Sequence, residues 1–216
     1  MSSIVVAGDT SGSVTLQAPA VAGASVLTLP VVTDTLVGKA TTDTLTNKTL
    51  GSGLVAGASL LTSGTTVAST SSSQITFSPV PSWVKRITVM FNAVSTSGSS
   101  PVQIRIGSTT TSVSGYYSAS SFAGSAGSYL SDTTGFLIEP TNSATAAAQR
   151  FGAVVLTLIG SNTWIANGNV ANSTGPTSNS CSGVSPVLAG ALTRIDIVPS
   201  NGTDTFDAGS INIMYE

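Results

Sequence analysis

Several short segments in the C-terminal two-thirds of the chain alternate apolar with polar residues, and this pattern constrains the fold most. In residues 102–106 every second position is apolar, and the same period recurs in residues 83–91, 192–197 and 210–215. A period of two is that of a β-strand with one buried face, whereas an amphipathic helix has a period of 3.6. Because Gly, Ser, Asn and Pro separate these segments, the pattern predicts an all-β structure.

Other segments complete a predicted set of about eight short strands. Residues 74–77, 135–139 and 163–170 are strand candidates, and residues 154–159 are apolar on both faces, which predicts a central strand. The best helical candidate, residues 144–148, is long enough for one turn only. Short strands with turn residues between them predict a β-sandwich of the jelly-roll type.

The distribution of aromatic residues predicts where the compact domain begins. All six Phe, both Trp and all four Tyr lie at or after Phe77. Aromatic side chains supply much of the buried area of a core, so we expect a β-sandwich head domain over residues 74–216. Residues 62–73 are rich in Ser and Thr, which predicts a linker.

Residues 1–61 are expected to form an extended β arm. Thr-Asp-Thr-Leu occurs twice, at residues 33–36 and 42–45, nine residues apart. The arm has regularly spaced apolar residues but too little bulk for a core of its own. Candidate residues for docking and trimer formation are Val14, Leu16, Leu27, Leu29, Leu36, Leu45 and Leu50. Two hypotheses remain: three copies intertwine around a threefold axis, or the arm is a disordered Ser/Thr-rich segment.

Charge and hydropathy disfavour several classes of function. Charged residues make up 7% of the chain and the net charge is −2, without a basic cluster, so nucleic-acid binding is not expected. No apolar run approaches the ~18 residues of a spanning helix, so membrane insertion is not expected either. A secretory signal is not recognisable, which predicts assembly in a host cytoplasm.

The chain offers little for catalysis or for cofactor and metal binding. It contains no His, the commonest general base and metal ligand. Asp204 and Asp207 lie near Asn201, but their spacing matches no known calcium loop, so a solvated turn is expected. Cys181, the single cysteine, is predicted to lie in a loop over residues 178–183 as an incidental thiol. We therefore expect no enzyme activity, no cofactor and no metal site.

Two groups of aromatic and amide residues are candidates for binding a glycan or another subunit. The first lies in residues 114–131, predicted to be loops at one end of the sandwich, and the second lies in a predicted strand. The candidates are Tyr116, Tyr117, Phe122 and Tyr129 in the first group, and Trp164, Asn167 and Asn169 in the second. The alternative is that these aromatics cap the core or a trimer interface. Since Tyr116 and Tyr117 are adjacent, they should point to opposite faces of a strand.

Three segments resemble bacteriophage tail-fibre-like virion proteins, particularly those of cyanophages. They are residues 8–19 followed by 27–30, residues 208–216, and residues 36–50, the last containing Thr42-Asp43-Thr44-Leu45-Thr46-Asn47-Lys48-Thr49-Leu50. The resemblance implies a homotrimeric virion protein that binds other virion proteins through its N-terminus and directs its C-terminal domain outward.

Two functions fit this resemblance. The head could attach to a host-surface polysaccharide, as in a receptor-binding fibre. Because the chain is short and lacks a long shaft, the alternative is a capsid decoration protein, a head fibre or cement protein without a receptor role.

Overall fold

The computed structural model describes residues 3–17, 20, 21, 23, 24, 26, 31, 61–122, 128–146, 148–174 and 177–216. The chain divides into two compact units, Met1–Leu54 and Val55–Glu216. The predicted arm residues Leu27, Leu29, Leu36, Leu45 and Leu50 lie outside the described residues.

The described part of the first unit contains one β-hairpin. Strands β1 (Ser3–Ala7) and β2 (Ser13–Gln17) pair antiparallel, with Val6 opposite Val14 and Ile4 opposite Leu16. The amide of Gly8 donates to the carbonyl oxygen of Gly12 at 3.0 Å and closes the turn. Val14 and Leu16, two of the predicted docking residues, are exposed on this hairpin.

The second unit is built from two antiparallel sheets. The large sheet has the order β3–β15–β6–β11–β12–β13–β8–β9, with β4 also paired to β15, and the small sheet has the order β10–β7–β14–β5. The strands of the large sheet are β3 (Thr62–Ser63), β4 (Val67–Ala68), β6 (Arg86–Thr96), β8 (Tyr117–Phe122), β9 (Ser128–Asp132), β11 (Arg150–Gly160), β12 (Thr163–Asn172), β13 (Thr177–Val184) and β15 (Phe206–Tyr215). Those of the small sheet are β5 (Ile75–Phe77), β7 (Val102–Gly107), β10 (Phe136–Leu137) and β14 (Arg194–Pro199).

The predicted all-β sandwich is confirmed, and the described residues contain no helix. The alternating residues of β6 and β7 supply facing layers of one core, with Ile87, Val89, Ile104 and Ile106 all buried. The chain crosses repeatedly from one sheet to the other, and the β11–β12 hairpin lies between β6 and β13 of the large sheet.

A β-bulge in β6, at which the pairing with both neighbouring strands shifts, changes which of its residues face the core. Phe91 and Val94 are both buried although they are three residues apart, because Ala93 has a φ of 54° and the pairing of β6 with β11 shifts there. On the neighbouring strand Gly209 has a φ of 91°, and a Cβ atom on it would lie 2.3 Å from the carbonyl oxygen of Ala93. Glycine is therefore required where β15 passes this bulge.

Three sequence predictions about the head are corrected. Residues 62–73 are not a separate linker, since β3 and β4 pair with β15 and Ser72 forms a bridge to Phe206. Residues 178–183 lie in β13 rather than in a loop. Much of residues 114–131 forms the β8–β9 hairpin. These segments contain Ser, Thr, Gly and Ala in place of alternating large residues, which hides the period of two.

A buried ion pair fixes the long connection between β10 and β11. Arg150 Nε donates to Glu139 Oε1 at 2.5 Å, and both side chains are fully buried. Arg150 Nη1 also donates to the carbonyl oxygen of Ala148 at 3.2 Å, and the Val102 amide donates to Glu139 Oε1 at 3.3 Å. Each charge depends on the other, because an unpaired buried charge is strongly destabilising.

We expect Glu139→Leu to lower the free energy of unfolding by about 3–5 kcal/mol, since it leaves Arg150 charged and unpaired. The double variant Glu139→Leu/Arg150→Met should recover most of the loss. Urea unfolding followed by fluorescence of the buried Trp164 measures both.

The control is Arg86→Ala, which breaks an exposed ion pair with Glu216 of 3.0 Å and should cost less than about 1 kcal/mol. An effect of Glu139→Leu as small as that of Arg86→Ala would contradict the structural role of the buried pair.

Candidate functional site

One end of the sandwich is defined by a row of paired residues that crosses the whole large sheet. The row consists of Thr62, Tyr215, Ile87, Leu156, Ala166, Gly183, Ser118 and Asp132. In each strand this residue lies within four positions of the same end of the sheet. We call this end, with the connecting residues 78–85, 108–116, 133–135, 161–162 and 185–193, the Trp83 end.

Exposed apolar side chains are concentrated at the Trp83 end. In the described part of residues 61–216, nine large apolar side chains are exposed, and seven of them belong to this end. The seven are Leu61, Trp83, Val113, Tyr117, Ile159, Ile165 and Val187; the other two are Tyr129 and Phe151. In the described connections at the opposite end, no large apolar side chain is exposed. The segments of Trp83, Ile159 and Val187 adjoin, since the Leu158 amide donates to the carbonyl oxygen of Lys85 and the Leu188 amide to that of Asn162. Exposed apolar side chains grouped in this way are typical of an interaction site.

The charged side chains of the same end balance one another. Its five connecting segments contain one charged residue, Lys85. The adjoining strand ends contribute two intrachain ion pairs, Arg86–Glu216 and Arg194–Asp196, together with Asp132. Exposed aromatic side chains on a surface without net charge are compatible with a protein interface.

The chain also joins the sandwich at the Trp83 end. Thr62, the first residue of β3, pairs with Tyr215, the last residue of β15. The ring of Tyr215 contacts that of Trp83, with centroids 5.8 Å apart. Residues that precede Thr62 therefore connect to the head beside its exposed apolar surface.

A groove lies at the far edge of this end, over β8, β9 and β13. It has a volume of about 550 Å³, and its lining includes Tyr117, Ser131, Asp132, Thr133 and Ser182. Tyr117 is 78% exposed. An aromatic face beside several hydroxyl groups and a carboxylate can contact both the apolar face and the hydroxyl groups of a sugar.

The structure separates the predicted aromatic candidates into two groups. Tyr116 and Trp164 are buried, so neither can form an exposed platform, and the interpretation as core aromatics holds for both. The Tyr116 hydroxyl accepts from the Ile106 amide at 2.9 Å, and its ring packs edge-on against Phe136. Tyr117 is exposed, so the two adjacent Tyr residues do point to opposite faces, as predicted.

The remaining candidates are not brought together. Tyr129 is exposed on β9, three residues from Asp132, and Phe122 is partly buried. Asn167 and Asn169 are exposed on the outer face of β12, which β13 separates from β8. Of the predicted set, Tyr117 alone lines the groove.

In the part of the chain that the structure describes, neither Cys181 nor the acidic residues show a reactive arrangement. Burial raises the pKa of Cys181 to about 12, so its thiol is protonated at neutral pH. Asp204 accepts from the Asn201 side chain at 2.8 Å and from the Ser100 amide at 3.1 Å. Within the described residues, no group of three or more His, Cys, Asp or Glu residues could hold a metal ion, and no helix is long and apolar enough to cross a membrane.

Comparison with known proteins finds no matching family model, no matching curated protein and no matching solved structure. Sequence reasoning missed the residues that form the Trp83 end, notably Val113, Ile159 and Val187. Their only signal was the occurrence of large apolar residues in or beside short uncharged turns, without a periodicity that assigns them to a face.

Tyr116 makes the stability of the head dependent on pH. Burial raises its pKa from 10.0 to about 12, although the Ile106 hydrogen bond and the nearby Arg105 oppose the shift. The unfolded chain therefore loses this proton at lower pH than the folded chain. The resulting contribution of Tyr116 to the free energy of unfolding is complete below about pH 10 and is lost as the pH rises to about 12.

We expect wild-type stability to fall between pH 10 and pH 12 by about 2–3 kcal/mol more than that of Tyr116→Phe. Urea unfolding at each pH measures the difference, with Tyr117→Phe as the exposed control. A Tyr116→Phe variant with the same pH dependence as wild type would contradict the assignment.

Proposed function

We propose that this chain is a structural subunit of a bacteriophage particle and that it catalyses no reaction. In this proposal it forms a short homotrimeric fibre. Residues 1–61 bind other virion proteins of the tail, baseplate or capsid, and the β-sandwich projects outward as a head. The fibre-like residues of the first 50 positions and the all-β head that follows them support the proposal.

The single observation that carries the proposal is the position at which the chain joins the head. Thr62 lies at the Trp83 end, beside the last residues of the chain. A head that is connected through one end leaves its opposite end free to project. This is the polarity that a fibre subunit requires, with attachment on one side and an outward domain on the other.

The N-terminal hairpin supports the attachment role. Ile4, Val5, Val6, Val14 and Leu16 are between 49% and 67% exposed. A two-stranded hairpin has little stability by itself in water, and five exposed aliphatic side chains would be buried by docking to another virion protein.

Deletion of residues 1–50 should leave a folded, soluble head that does not enter particles, because the proposed docking surface is removed. Val14→Asp/Leu16→Asp should reduce incorporation at least tenfold, whereas Thr10→Asp in the hairpin turn should not. Quantitative mass spectrometry of purified particles of the encoding phage measures incorporation. Wild-type levels of the truncated chain in particles would refute the attachment role.

Glycan binding by the head is a second candidate function, and the exposed Tyr117 in the groove favours it. Tyr117→Ala should weaken binding to purified host-surface polysaccharide at least tenfold, because stacking on the ring is lost. Tyr129→Ala removes an equally exposed ring outside the groove and should not weaken binding.

Isothermal titration with the full-length chain separates this candidate from a purely structural role. Absence of binding by the wild-type chain would leave a capsid decoration protein, and immunogold labelling of particles would then show the attachment on the capsid.

A further inference from the structure

We propose that the Trp83 end is the surface through which copies of this chain contact one another. The inference rests on the proposed homotrimer and specifies where in the head the copies meet. The contact is formed by exposed side chains that the sandwich itself leaves unburied, with Trp83, Ile159, Ile165 and Val187 as its principal residues.

The exposure of these residues indicates that they have a partner. Trp83, Ile159 and Val187 are 54%, 59% and 70% exposed. Exposed large apolar residues scattered singly over a surface need no explanation, but a cluster at one end marks an interaction site. Of the nine such residues in the described part of residues 61–216, seven lie at the Trp83 end.

The balance of charge at this end favours another copy as the partner. Around a threefold axis, identical residues of the three copies approach one another, so a net charge near the axis would face the same charge on the other copies and disfavour association. The charged side chains of the Trp83 end are Lys85, Arg86, Arg194, Asp132, Asp196 and Glu216, three of each sign. Two pairs of opposite sign, Arg86–Glu216 and Arg194–Asp196, are formed within the chain. The end therefore has no net charge that would repel a second copy or select a partner of opposite charge.

The connection of the chain at Thr62 makes this contact easy to form. When copies are joined through their N-terminal segments, each head is held by the end that carries the apolar residues. Tethering raises the effective concentration of one head for the next, so that a modest patch associates without a high intrinsic affinity. The opposite end of each head lies a full strand length from the tether and gains no such advantage.

Light scattering on the full-length chain over a range of concentrations provides the main test. We expect the wild type to form a trimer of about 64 kDa, three times the 21.4 kDa chain. Val187→Glu and Ile159→Glu should raise the dissociation constant at least tenfold, because each places three like charges together. Tyr129→Glu, at an 86% exposed position away from this end, is the matched control and should remain trimeric.

The light-scattering results separate a failure of the proposed contact from a failure of the proposed trimeric fibre. A wild-type trimer that is equally stable in Val187→Glu, Ile159→Glu and Tyr129→Glu would overturn the contact and leave the trimeric fibre intact. A wild-type monomer at all concentrations would overturn the homotrimer and the contact together, while the incorporation assay still tests the virion role. Unchanged thermal unfolding of the monomeric head in each variant shows that folding is intact.

A second measurement uses the buried position of Cys181, the only native cysteine. Val187→Cys and Tyr129→Cys each introduce an exposed thiol. In the trimer we expect Val187→Cys to react with a maleimide at least tenfold more slowly than Tyr129→Cys, and dilution should remove the protection. Equal rates, or protection that appears only when host polysaccharide is added, would overturn the contact between copies.

Discussion

The organisation of the head depends on the antiparallel pairing of its last strand. Strand β15 pairs with β6 along most of its length and, on its other edge, with the short strands β3 and β4. Its buried residues Phe206, Ile211 and Ile213 belong to the core. Because Tyr215 pairs with Thr62, this one strand places the C-terminus and the start of the head at the same end of the sandwich. The polarity proposed for the head follows from that pairing.

This polarity bears on whether the exposed aromatics serve recognition or assembly. A receptor-binding platform is most useful at the end of the head that is remote from the attachment. Trp83 and Tyr117 instead lie at the end where the chain joins the head, although Tyr117 and its groove are six inter-strand steps from Thr62, about 29 Å across the sheet. Their position supports the proposed contact between subunits, and the glycan binding proposed as a second function would be confined to the groove at the edge of this end.

The sequence predicted the sandwich where large side chains alternate and failed where small ones replace them. Ile87, Val89 and Ile104, Ile106 have the period of two, and their strands were found. Strands β8 and β13 consist largely of Ser, Ala, Asn and Gly, and they belong to the sheet because their neighbours pair with them, which no local pattern encodes. Trp83 continues the alternation of β6 but precedes the strand, so it is exposed. Tyr117 was a correct candidate for an exposed residue because it follows Tyr116 directly, whereas the clustering of Ile159, Val187 and Val113 depends on tertiary structure.

Hydrogen–deuterium exchange can show whether the Trp83 end is buried between copies while the opposite end is free, because exchange of loop amides reports local burial and opening. The full-length chain is compared at high and low concentration. We expect residues 78–85 and 185–193 to exchange more slowly at high concentration, and residues 97–101 and 200–205 at the opposite end to be unchanged. Two results would refute the proposed contact: protection at the opposite end alone, or exchange that is independent of concentration at both ends of a trimer that dissociates on dilution.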